Sequence, residues 1–216
     1  MRKWFPTLLV VGSVAFSLAV YSRLPESVPV HWGLSGEPDR YGSRIEGAFF
    51  LPALMAVMLV LLQWLPSRDP RAANIAKFRE SYDLMVIALV TFMAGMHVLL
   101  LGTSLGWAVN VTMVVLVGVG VLLVLIGNMM PRARSNFIFG IRTPWTLSSD
   151  SVWTRSHRVG GYVMVAAGLL TIASAFIRKP WGFVITFSSL ALAAIVPIVY
   201  SYVIWSRDRG GPTSRA

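Results

Sequence analysis

The sequence predicts an all-α fold: a polytopic transmembrane helical bundle of six spans, with the N-terminus in and the C-terminus in. Three observations carry that prediction: an apolar composition, six long apolar runs, and a lopsided distribution of basic residues. Of the 216 residues, 56% are hydrophobic and 13% charged, with mean hydropathy +0.67. An average soluble domain carries about 25% charged residues. A helix needs about 20 mainly apolar residues to cross a hydrocarbon core roughly 30 Å thick. The six runs that qualify are 4–21, 48–65, 84–105, 107–127, 159–177 and 181–205. Aromatic residues mark their ends, as amphipathic rings favour the headgroup level: Trp4, Tyr21, Phe49, Trp64, Trp107, Trp181 and Trp205. With the N-terminus inside, the inner segments collect Arg2, Lys3, Arg68, Arg71, Lys77, Arg79, Arg132, Arg134, Arg142, Arg155, Arg158, Arg207, Arg209 and Arg215. The outer ones hold Arg23, Arg40, Arg44, Arg178 and Lys179, an asymmetry that sets orientation.

The formal charge of +10 does not point to nucleic acid, because the basic residues are spread over short segments between apolar runs, where lipid headgroups lie. No direct nucleic-acid binding is expected. The absence of cysteine excludes disulfides, thiolate metal sites and thiol nucleophiles. The first run follows Arg2 and Lys3 like a signal peptide. It reads better as an uncleaved anchor, since it is longer than a usual h-region and no small-x-small site follows it.

Four segments follow in order: a two-span unit with an ordered outer loop (1–65), an amphipathic connector (66–83), a tight transmembrane hairpin (84–127), and a loop with the last two spans (128–216). In the first outer loop, LPESVPVHWGLSGEPDRYGSR, Pro and Gly density predicts turns at 33–36 and 37–39. His31, Glu37 and Asp39 are of metal-ligating type, but one His with two acids is a thin ligand set. Loop hydrogen bonds, with His31 beside Trp32, are the favoured reading. No metal or cofactor is expected. Asp69 before Pro70 predicts a helix start, with Ile75, Phe78 and Tyr82 on an apolar face laid on the membrane and Arg71, Lys77 and Arg79 reaching phosphates.

His97 lies deep in the third run, and an intramembrane ionisable group is a functional candidate by default. Folding a tight hairpin about Ser104 and Leu105 sets Thr112 at its depth, with Asn110 close by. A neutral imidazole bonded to Thr112 is favoured over a proton relay, since no intramembrane acid is at hand. Gly118 and Gly120 in the fourth run, and Gly161, Ala166, Ala167 and Gly168 in the fifth, supply small residues for close helix approach. Pro52 and Pro197 fall inside the second and sixth.

The loop from Asn128 to Gly161 is dense in Arg and Trp. Pro131 ends the fourth span, Pro144 holds Thr143 extended, and Ser148 or Ser149 caps a helix carrying Asp150 in its first turn. Trp153 and His157 then fall on one helical face. Physics alone gives an interfacial elbow, with Trp145 and Trp153 as anchors and Arg142, Arg155 and Arg158 on phosphates. Ser149 or Ser151 with Asp150 and His157 cannot form a catalytic triad from one helix, and no GxSxG or HExxH occurs, so no enzyme is expected.

The run NMMPRARSNFIFGIRTPWTLSSDSVWTRSHRVGG resembles the signature of the SdpI family of bacterial membrane proteins. The match rests on Asn128, Pro131, Asn136, Gly140, Ile141, Arg142, Thr143, Pro144, Trp145, Thr146, Leu147, Val152, Trp153, His157 and Arg158, with Ser156 where Thr is frequent. The outer loop, through Pro29, His31, Gly36, Pro38 and Asp39, is similar to the uncharacterised domain that often precedes this signature. The resemblance implies a multi-pass protein of the bacterial cytoplasmic membrane that confers immunity to a secreted antimicrobial peptide. In some members it implies signalling by holding a winged-helix repressor at the membrane. On that reading His31, Trp32, Gly36, Pro38 and Asp39 sense the peptide and the elbow engages the partner. The alternative is a small-molecule or proton-coupled transporter. Membrane lipids are partners in either case.

Overall fold

The computed structural model describes residues 4–178 and 180–210. Arg2, Lys3, Lys179 and Arg215, counted in the charge asymmetry, lie outside the described residues. The chain is mostly helical: α1 (Phe5–Val20), α2 (Arg44–Trp64), α3 (Ala72–Ala76), α4 (Arg79–Ser104), α5 (Val111–Met129), α6 (Pro144–Ser148), α7 (Asp150–Ser174) and α8 (Trp181–Gly210). Among the described residues five helical segments are long and apolar enough to cross a membrane: Phe5–Arg23, Arg44–Ser67, Arg79–Ser104, Val111–Arg132 and Trp181–Asp208. The expected fifth span falls on α7, where seven of the first nine residues, DSVWTRSHR, are polar. Its apolar part, from Val159 to Ser174, rises only about 24 Å.

Two compact units emerge, one from the chain up to Gln63 with Val86–Val119, the other from Trp64–Met85 with the chain from Gly120 onward. In the first, the outer loop turns at 33–36 as expected, but around that turn it is paired. It is a two-stranded antiparallel ribbon, β1 (Ser27–Trp32) and β2 (Pro38–Ser43), which corrects the expected turn at 37–39. The ends are closed by Gly33 N–H donating to the Glu37 carbonyl at 3.0 Å and Gly36 N–H to the Gly33 carbonyl at 2.9 Å. Pro29 and Pro38 are tolerated because both strands of a lone ribbon are edges. Val28, Val30 and Trp32 alternate inward onto a core of Val20, Leu24, Ala48, Leu100 and Leu101, leaving His31 on the outer face.

His97 is fully buried in this unit but does not reach Thr112. Its Nε2 lies 3.0 Å from Ser17 Oγ and 3.2 Å from the Ala48 carbonyl, Ser17 Oγ donates to that same carbonyl at 2.5 Å, and Phe16 meets the ring edge-on. The imidazole therefore ties α4 to α1 and α2. The expected Thr112 partner fails because the ring faces α1 and α2; α5 itself starts only at Val111, with Asn110 Oδ1 accepting from Met113 N–H. Across the hairpin, a Cβ on Gly118 would sit 3.1 Å from Phe92 of α4.

In the second unit α5 and α7 cross backbone to backbone. A Cβ on Gly120 would lie 2.6 Å from the Gly168 carbonyl oxygen, and one on Gly127 2.9 Å from that of Gly161. Such approach is what small residues permit where apolar helices meet without a hydrophobic driving force. Antiparallel to α7 runs α8, joined to it by hydroxyl pairs, Ser174 with Thr186 at 2.6 Å and Thr171 with Ser189 at 3.5 Å. Pro52 and Pro197 sit inside α2 and α8.

Candidate functional site

The connector and elbow fold onto each other within the second unit. The expected surface helix over 69–83 is corrected: α3 covers only Ala72–Ala76, and α4 starts afresh at Arg79. Ile75, Phe78 and Tyr82 are buried against protein rather than laid on lipid. Asp69 is itself buried, its carboxylate accepting from the N–H of Arg71 at 2.6 Å and of Phe137 at 2.8 Å. Arg71 is turned onto protein. Its guanidinium donates to Ser135 Oγ and, at 2.9 Å, to the Leu147 carbonyl, and lies over the Phe137 ring. Arg71→Met keeps most of the stem but leaves these acceptors unpaired, one of them on buried Ser135. We expect a loss of about 2–4 kcal/mol, read as a lowered unfolding temperature in detergent; an unchanged temperature would discount the clamp.

Past the end of α5 the chain makes a 3-10 turn, Met130–Arg132, where Pro131 stops the helix as expected. Asn136, fully buried, then organises the bend. Its Oδ1 accepts from the N–H groups of Ile138 and Phe139, at 2.9 and 2.7 Å, and its Nδ2 donates to the Arg134 carbonyl. Four residues after Asn136, Gly140 takes φ of +110°. Thr143 is extended and caps α6 in a reciprocal box with Thr146, the T-P-x-T spelling placing Pro144 at the first helical position. Ser149 caps α7, accepting from Val152 N–H, with Asp150 in the first turn.

Trp153 and His157 lie on one face of α7, as their spacing requires, and stack at 4.0 Å between ring centroids. Both point inward, which corrects the assignment of Trp153 as a lipid anchor: it is 1% exposed, with Nε1 donating to the Ala133 carbonyl at 2.9 Å. His157 Nδ1 donates to the Trp153 carbonyl at 2.8 Å, and Nε2 accepts from Ile141 N–H at 3.0 Å. These bonds fix the neutral Nδ1–H tautomer, since a second ring proton would face a donor. Burial pushes the imidazole down to about 4, the Trp153 carbonyl opposing it in part.

The remaining sequence candidates divide. Trp145 packs against Tyr202 and Trp205 and donates to Ser201 Oγ, so α8 holds it. Arg142 is exposed yet donates to the Phe137 carbonyl at 2.5 Å, and Arg155 pairs with Asp208 at 3.3 Å, so neither is committed to a phosphate. Asn128, Pro144 and Arg158 face outward. On the ribbon, His31 Nδ1 and Asp39 Oδ1 meet at 2.5 Å on an exposed face, beside Trp32, while Gly36 and Pro38 shape the turn and the start of β2. Glu37 takes no part in that pair, and among the described residues no group of three or more His, Cys, Asp or Glu is placed to hold a metal ion. Sequence reasoning missed the roles of Asp69, Arg71, Asn74 and Ser135, which depend on partners 61 to 76 residues away.

Comparison with known proteins matches these same two regions. Residues 8–56 match a domain of unknown function, DUF1648, and residues 132–201 match the SdpI/YfhL protein family. The chain is 26% identical over 211 residues to the "Immunity protein SdpI" of Bacillus subtilis (strain 168), covering 97% of this chain and 99% of that protein. A shorter similarity, 41% over 70 residues, joins it to an uncharacterized protein of Archaeoglobus fulgidus, covering 29% of this chain and 38% of that one. No solved structure matches. With its apolar helices the chain is a multi-pass bacterial membrane protein, and it carries a region matching the SdpI/YfhL family with a DUF1648 match ahead of it.

Proposed function

We propose that this protein protects a bacterial cell against a secreted, membrane-active peptide. The observation that carries the reading is the end-to-end similarity to a named immunity protein, which includes the ribbon and the elbow in the same order. Six crossings, with both termini inside, suit it best: α7 makes the fifth by extending its apolar part with the residues just after Ser174, and the basic residues of connector and elbow then share the inner face. The ribbon, with His31, Trp32 and Asp39, lies outside and meets the peptide.

The test is survival. Sensitive cells expressing the chain should outlive empty-vector cells when exposed to sibling-culture supernatants containing membrane-active peptides, and His31→Ala with Asp39→Ala should narrow the difference. Identical killing curves with and without the chain would sink the reading.

A receptor role, with a winged-helix repressor held at the inner face, is a further limb of this proposal. Asn136, Thr146, Trp153 and His157 are buried and leave little to recognise, whereas Arg158 is exposed and makes no bond to a described residue. Arg158→Ala is therefore a cleaner probe than Arg142→Ala, which would disturb the elbow itself. The receptor limb expects a small DNA-binding protein to co-purify with wild type and be lost with Arg158→Ala; no such protein in either sample removes it.

A further inference from the structure

Between connector and elbow lies a polar cleft that the bonds described above leave unfilled. It consists of two cavities of about 320 and 390 Å³, both lined by Asn74 and Asp150. Sites for small molecules are typically about 300–1,000 Å³. The walls of the smaller one are fixed: Asn74 Nδ2 donates to the Ser135 carbonyl at 2.9 Å, and Trp153 is held by Ala133. Its other lining side chains are Lys77, Arg134, Ser135 and Thr154. Lys77 donates to Asn74 Oδ1 at 3.1 Å, while Arg134 and Asp150 enter no ion pair with a described residue.

Two cations and one carboxylate thus line a single cavity without neutralising one another. A simple anion there would meet the Asp150 carboxylate, and a simple cation would meet Lys77 and Arg134. A molecule carrying both signs a few bonds apart satisfies all three. The cleft also sits where such a molecule is abundant: Lys77 comes just before α4, and Arg134 follows the end of α5, both apolar enough to span. We propose that this cleft binds the phosphoethanolamine headgroup of a membrane lipid, its phosphate on Lys77 and Arg134, its ammonium on Asp150. The lipid source rests on the six-crossing reading, which sets the cleft at headgroup depth; the charge pairing does not.

Two measurements on the full chain test it. In detergent, soluble glycerophosphoethanolamine should bind more tightly than glycerophosphoglycerol, which has the phosphate but no ammonium. The double variant Lys77→Gln with Arg134→Gln should weaken both by roughly tenfold or more, and Asp150→Asn should abolish the preference between them. In nanodiscs of equal phosphatidylethanolamine and phosphatidylglycerol, native mass spectrometry should find phosphatidylethanolamine retained by wild type and not by the double variant. Equal binding of the two soluble probes, or wild-type binding by the double variant, overturns the site. Selective soluble binding without retained lipid overturns the lipid source and with it the headgroup depth, leaving the charge pairing intact; immunity would be untouched by any of these results.

Discussion

Gly140→Ala is expected to disrupt the elbow. At φ of +110° an L side chain is strained wherever it points, and here the new Cβ would lie 2.1 Å from His157 Nε2. Backbone strain and overpacking together cost about 2–6 kcal/mol. Relief by moving the ring would break its bond to Ile141 and its stack on Trp153. The measurement is thermal unfolding in detergent followed by tryptophan fluorescence. Gly106→Ala provides the control, since Gly106 has φ of +93° but nothing within 4 Å of its added Cβ. If the two variants lose equal stability, the contact with His157 carries no weight. If Gly140→Ala loses clearly more, and loses less in a His157→Ala background, the glycine is there to admit the imidazole.

Acid should loosen the same elbow through His157. His157 has an ordinary value near 6.5 and is pushed down to about 4 in the folded protein. Between those values the unfolded chain binds the extra proton, so falling pH draws the equilibrium toward unfolding. The stabilising contribution is complete above about pH 6.5, declines as pH falls through the window, and is gone below about 4. Its size is on the order of 3 kcal/mol. Unfolding temperatures of wild type and His157→Gln, taken from pH 7.5 to 4.5, should therefore converge as the solution is acidified. A gap that stays constant across that range would mean the ring is not held neutral by the fold.

The helices were legible because long apolar runs have few alternative structures in a chain this poor in charge. The ribbon was legible only in part: V-x-V-x-W shows strand alternation, but the surrounding Pro and Gly speak more loudly as turns. In the elbow, local chemistry was readable where partners are close in sequence, as with Thr143 and Pro144, Ser149, and the Trp153–His157 spacing. Direction was not. Whether Trp153 faces lipid or protein depends on the Ala133 carbonyl brought beside it by the bend, and whether Arg71 meets a phosphate or Leu147 depends on a contact spanning 76 residues. His97 shows a third limit, since its partners, Ser17 and the Ala48 carbonyl, come from α1 and α2 and not from across the hairpin.

The Arg71 clamp has a consequence for how the protein is made. On the six-crossing reading, Arg71, Arg142 and Arg155 help retain their loops on the inner side while the chain is still being threaded into the bilayer, before any tertiary contact exists. After assembly the same guanidiniums are hydrogen-bonded struts, to Ser135 and Leu147, to Phe137 and to Asp208. One side chain thus acts twice, first as an address and later as a fastener. Lysine serves the first role as well as arginine does, but it lacks the planar fork that reaches two acceptors at once. Arg71→Lys should therefore give a correctly inserted protein that is slow to mature and easily cleaved by protease, separating biogenesis from stability at a single position.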